Sequence, residues 1–170
     1  SQVTAHTMSA SATGLRLTVL DLGATVARVQ VPVAAGGFVD VALGFGAAAD
    51  YASDENPYLG ATVGRYANRI GGARFTLDGV PQALMANEGT TCLHGGPGGF
   101  HSRRWSVSDA GADVLELELV SPDGDQGFPG QVTARVRYTV TEDAVTIEHR
   151  ARTDAPTVVS LTNHTYFNLA

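Results

Sequence analysis

Apolar and polar residues alternate with a period of two through most of this chain, the mark of strands with one buried face. Leucines alternate with Glu116 and Glu118, which predicts a strand over residues 115–120. Between positions 132 and 140, Val132, Ala134, Val136, Tyr138 and Val140 fall on one face, with Thr133, Arg135, Arg137 and Thr139 on the other. After a polar break at Glu142 and Asp143, Val145 and Ile147 alternate with Thr146, Glu148 and Arg150. Two such runs with a short break predict a β-hairpin. A second hairpin is predicted where Phe75, Thr76 and Leu77 meet Asp78-Gly79, a dipeptide suited to positive φ.

Nearer the N-terminus, Leu15, Leu17 and Val19 alternate toward a turn near Gly23, and extended patterns follow over residues 25–31 and 39–45. Residues 157–160 also read as strand-like. The one helical turn predicted is short, over residues 47–52, and lacks an apolar stripe. With no internal repeat, low-complexity segment or linker, the pattern predicts one all-β unit over residues 1–170, an antiparallel sandwich.

Composition supports a packed core, since 44% of residues are hydrophobic and 16% charged. No apolar run approaches the roughly 20 residues of a membrane-spanning helix. The net charge of −6 argues against nucleic acid or an acidic membrane surface as partner. All 11 cations are arginine, so no lysine of this chain can form a Schiff base. A single cysteine, Cys92, cannot make an internal disulfide or a cysteine-rich metal site. The first residues lack a basic stretch followed by an apolar one, and the cytoplasm is the expected compartment.

Three segments depart from plain strand-and-turn grammar. In Gly64-Arg65-Tyr66-Ala67-Asn68-Arg69-Ile70, two cations flank an amide. Arginine offers a fork of donors and Asn68 both a donor and an acceptor, a set able to grip vicinal sugar hydroxyls. Taken alone, Arg65 and Arg69 read more simply as surface cations. In Leu93-His94-Gly95-Gly96-Pro97-Gly98-Gly99-Phe100, glycines allow a close backbone approach beside His94, although such a loop is often only a turn. It is not a phosphate-binding P-loop, because no Gly-Lys-Ser/Thr follows. His101 lies in a polar stretch and reads as a solvated loop residue.

The third segment, Leu161-Thr162-Asn163-His164-Thr165-Tyr166-Phe167-Asn168-Leu169, embeds a histidine among apolar and amide residues. Imidazole titrates near 6.5 when unperturbed, so it can give and retake a proton near neutral pH. If the segment is extended, Tyr166 and Asn168 share the face of His164. A buried histidine held for structural reasons is the equal alternative.

Taken together and in order, GRYANRI, LHGG with its glycine-rich continuation, and NHTYFNL resemble the motifs of the aldose 1-epimerase (galactose mutarotase) family. LGF at 43–45, YLGATVG at 58–64 and RFTLDG at 74–79 extend the likeness over nearly the whole chain. The resemblance implies a twisted antiparallel supersandwich of the galactose mutarotase type. It also implies interconversion of α and β anomers of a hexose such as galactose or glucose, with no metal and no organic cofactor. His164 would then be the acid that protonates the ring oxygen, and His94 would assist at or bind that oxygen. Asn68, Arg69 and Tyr166 would hold sugar hydroxyls.

In the family, the base on the C1 hydroxyl is a glutamate in the C-terminal part of the chain, and no glutamate here sits in a matching motif. The expectation is therefore an N-terminal portion of the fold, poorly active alone, with open sheet edges that await a missing C-terminal segment or self-associate. The rival readings are a non-catalytic sugar-binding protein of the same fold and, further off, a hexose-6-phosphate epimerase. The latter would need a cationic cluster, for which only Arg103-Arg104 offers itself. No HExxH or GxSxG occurs to suggest a metallohydrolase or serine hydrolase.

Overall fold

The computed structural model describes residues 2–169. Its first sheet joins β1 (Ala5–Ser9), β2 (Arg16–Leu20), β3 (Thr25–Pro32) and β4 (Phe38–Asp40) as an antiparallel meander. Short strands follow: β5 (Thr62–Val63), β6 (Arg69–Ile70), β7 (Arg74–Leu77), β8 (Val80–Ala83) and β9 (Cys92–Leu93). The second sheet is another meander, β10 (Ser106–Ala110), β11 (Val114–Ser121), β12 (Val132–Val140) and β13 (Val145–Thr153), and β14 (Thr162–Asn163) pairs back with β5.

Period-two alternation decides which faces meet. Leu17, Val19 and Val26 from the first sheet pack in one cluster with Leu115, Leu117, Val132, Ala134, Val136 and Val140 from the second. Tyr138 belongs to the same core, where its hydroxyl finds a partner by donating to the Ala24 carbonyl at 2.5 Å. The opposite face of the second sheet is charged. There Arg135 pairs with Glu118 on the neighbouring β11, and Arg137 reaches across β11 to Asp109 on β10. The fold is thus all-β and sandwich-like, as the alternation predicts; among the described residues one isolated bridge, between Tyr66 and Ser160, is parallel.

The 75–82 hairpin turns through Asp78 and Gly79 at φ 50° and 80°, as the dipeptide requires. The helical turn is a 3₁₀ turn at Ala48–Ala52. Two predicted strands are cut short. The run 39–45 breaks at Asp40, whose carboxylate takes the N–H groups of both Val29 and Ala42 at 3.1 Å and so competes with the ladder. Residues 157–160 contribute only the Ser160 bridge, because Ser160 bonds to Arg65 and Ala67 in the connection between the sheets. Strands β1 and β10 were not predicted. Every residue of β10 is exposed, so it carries no apolar alternation to read.

Candidate active site

The β6–β9 pair is only two residues long, Arg69 opposite Leu93 and Ile70 opposite Cys92, and its end brings Asn68 beside His94. Both residues take positive φ, 68° and 51°, and they bond reciprocally. The His94 N–H donates to the Asn68 carbonyl at 3.0 Å, and the Asn68 N–H donates to His94 Nδ1 at 2.9 Å. An acceptor Nδ1 fixes the neutral tautomer, leaving the proton of His94 on Nε2. Gly95 follows at φ 88°, where a Cβ would collide with the Gly64 carbonyl, so the loop needs glycine to cross this strand closely. Asn87 secures the strand from the other side by bonding both the N–H and the carbonyl of Leu93, at 2.7 and 3.0 Å.

His164 arrives from the opposite end of the sequence. The β5–β14 pair precedes it, and its N–H donates to Ala61 while its carbonyl accepts from Gly60, at 2.8 and 3.0 Å. Its ring stands 5.0 Å from that of His94, edge to face. Tyr166 lies 5.1 Å from the His164 ring, with its hydroxyl donating to the Pro57 carbonyl at 3.2 Å. Arg69 is beside Asn68, with Nη1 3.4 Å from Oδ1. The five residues singled out from sequence, His94, His164, Asn68, Arg69 and Tyr166, therefore neighbour one another.

Three further side chains join them. Tyr58 has its ring 4.7 Å from both His94 and His101 and 5.8 Å from His164. Its place at the head of the YLGATVG run was its only sequence signal. Glu88 grips Arg69 through both carboxylate oxygens, at 2.5 and 2.6 Å. His101 is no solvated loop residue, because it packs on Tyr58 and its Nδ1 is buried without a partner. A cavity of about 350 Å³ lies against Tyr58, Asn87 and His101, with Asp54 and Asn56 also on its wall.

The two arginines of GRYANRI part company. Arg69 is exposed, whereas Arg65 is 2% exposed and turns inward, away from any surface role. Its guanidinium donates to four backbone carbonyls in residues 121–130.

Burial first, then the charges of His164 and Arg69, depresses His94 to about 4, against a smaller opposing pull from Glu88. Burial and then His94 bring His101 to about 4 as well. Both imidazoles thus stay neutral in the fold where an unfolded chain would bind protons. Folding stability should accordingly fall as pH drops from about 6.5 to about 4, by up to about 3 kcal/mol for each imidazole before solvent screening reduces it. Urea midpoints across that window test this. His101→Gln should flatten the slope, and an unchanged slope would contradict the assignment.

A model of the family described as Aldose 1-epimerase matches residues 5–170. The Aldose 1-epimerase of Escherichia coli K12 is 42% identical over 157 residues, covering 92% of this chain and 45% of that protein. The Galactose mutarotase of Sus scrofa is 40% identical over 156 residues, with the same coverage. The chain spans about half the length of the curated relatives it matches. Among solved structures, an aldose epimerase homologue from C. elegans superposes with a TM-score of 0.88 at 35% identity, covering 98% of this chain and 51% of the other. A galactose 1-epimerase from Lactobacillus acidophilus gives 0.81 at 26% identity, covering 99% and 53%.

Proposed function

We propose that this chain, which belongs to the aldose 1-epimerase family, supplies the histidine side of a mutarotase site for a hexose such as galactose or glucose. The observation that carries the proposal is the His94–His164 pair, two rings 5.0 Å apart beside an Asn–Arg pair. Opening a hemiacetal ring needs a proton on the ring oxygen and removal of one from the C1 hydroxyl. The exposed carbonyl then rotates, and reverse transfers close the ring on its other face.

His164 is the acid in this scheme, by the match of Asn163-His164-Thr165-Tyr166 to the family's motif and by the place of its ring beside His94. His94 is the neutral partner. Its Nδ1 is occupied by the Asn68 N–H, so only Nε2–H is left to hydrogen-bond the same oxygen. Asn68, Arg69 and Tyr166 hold ring hydroxyls. Glu88 is not the base, since both its oxygens are committed to Arg69. By the resemblance, the base on the C1 hydroxyl belongs to a C-terminal segment of the kind the longer relatives carry. Arg103 and Arg104 are engaged by Asp125 and Asp21, which speaks against a phosphate cluster and for an unphosphorylated hexose.

D-galactose added to the chain should move the imidazole NMR signals of His94 and His164, and leave those of His6 and His149 in place. No movement at the first two would sink the proposal. Polarimetry on fresh α-D-galactose should show slow exchange with this chain and fast exchange with a C-terminally extended one. Equal rates would reject the placement of the base.

A further inference from the structure

We infer that Glu88 is the positioning residue of this site: it holds the Arg69 guanidinium in one orientation and offsets its charge at His94. The inference rests on the sugar-binding reading above. Glu88 belongs to a built turn. Its N–H and carbonyl bond Thr91 at 3.1 and 2.9 Å, and Gly89 supplies the positive φ, 58°. The preceding Asn87 is clamped to Leu93, next to His94. The carboxylate is therefore delivered by the same short turn that braces the histidine strand.

The geometry of the pair is selective. Glu88 takes Nε and Nη2 of Arg69, so the Nη1 edge is left turned toward Asn68 Oδ1. That edge lies on the side where Asn68 meets His94. A free arginine has several rotamers, and ordering it on ligand binding costs affinity that a pre-held fork avoids. The pair is solvent-exposed, so its role lies in orientation rather than in fold stability.

Electrostatics gives the second function. The groups facing His94 are Arg69 and Asn68 from the β6 side, His164 and Tyr58 across the site, His101 behind Tyr58, and Glu88 from the turn. Arg69 opposes protonation of His94 and Glu88 favours it, so deleting the carboxylate leaves the cation unopposed.

Glu88→Gln in the same chain tests both functions, by NMR titration of the imidazoles and of D-galactose. The His94 midpoint should move lower, with those of His6 and His149 unchanged. Galactose affinity should fall roughly three- to tenfold, the cost of ordering one freed side chain. Glu88→Asp keeps the charge and should hold the His94 midpoint while recovering part of the affinity. An unchanged midpoint, or unchanged galactose affinity in Glu88→Gln, overturns the inference. If the wild-type chain binds no hexose at all, the sugar reading fails separately, and the His94 midpoint alone then decides whether Glu88 acts on the site.

Discussion

Arg65→Met is expected to cost about 3–5 kcal/mol of folding stability, the range for breaking a buried charged network from one side. Arg65 is 2% exposed. Its Nη1 donates to the Pro129 and Gly130 carbonyls at 2.9 and 2.7 Å. Its Nη2 donates to the carbonyls of Ser121 and Pro122 at 3.2 and 3.0 Å and to the Ser121 hydroxyl at 2.7 Å. Burial works against the cation, and the charges of Asp125, Asp123 and Asp154 support it. Guanidinium nevertheless stays protonated in a folded protein.

Methionine would fill much of the volume, and a buried ion pair replaced wholesale by apolar groups is often no less stable. That escape is closed here, because most of the acceptors are backbone carbonyls that no substitution removes. The carbonyl of Pro122 keeps the Asp125 N–H, but those of Ser121, Pro129 and Gly130 lose the guanidinium, at about 1–3 kcal/mol for each left without a partner unless water enters. Lysine should rescue only partly, since one compact ammonium cannot span acceptors that a planar fork reaches. Denaturant midpoints with unchanged m-values would measure the loss. A change below about 1 kcal/mol would mean that the carbonyls rehydrate without strain.

The loss should spread toward the histidines. The loop that Arg65 gathers also holds Gln126, whose Oε1 accepts from the Gly98 N–H at 2.9 Å. Asp125 from the same loop pairs with Arg103, just beyond that glycine-rich stretch. The sequence LHGGPGG is therefore shaped from two directions, by the Gly64 crossing at Gly95 and by the 121–130 loop at Gly98.

What could be read in advance follows from how local the physics is. Strands β11, β12 and β13 were legible because packing one sheet on another imposes an alternation that any short window contains. The end of β4 was not, because the Asp40 side chain competes for N–H groups on two elements, and β10 has no buried face at all. At the site, His94 and His164 stood out by residue type and motif. The contrast between Arg65 and Arg69 did not. Four residues apart in one motif, they differ only in what lies around them: four carbonyls from residues 121–130 for one, Glu88 and solvent for the other. The grouping of Tyr58 and His101 was hidden for the same reason, since each looks ordinary without the partner that the fold brings.

His164→Gln should lower the rate of anomer exchange by about 10²–10⁴-fold, the usual contribution of one positioned acid–base group. Galactose affinity should change much less, because hydroxyl contacts are assigned to Asn68, Arg69 and Tyr166. The substitution is clean on structural grounds. The N–H and carbonyl of residue 164 bond to Ala61 and Gly60 whatever the side chain, and glutamine keeps a polar group beside His94. His94→Gln should behave differently. It removes the ring nitrogen that accepts from the Asn68 N–H, so affinity and rate should fall together as Asn68 and Arg69 lose their brace. This separation between rate and affinity is what distinguishes an acid from a binding group. The measurement is polarimetry on α-D-galactose in the C-terminally extended chain, with NMR titration for affinity. If His164→Gln kept its rate within a few-fold of wild type while His94→Gln lost it, the acid would have to be reassigned to His94. Such a reassignment would conflict with the depression of His94 to about 4, which leaves little protonated imidazole at neutral pH.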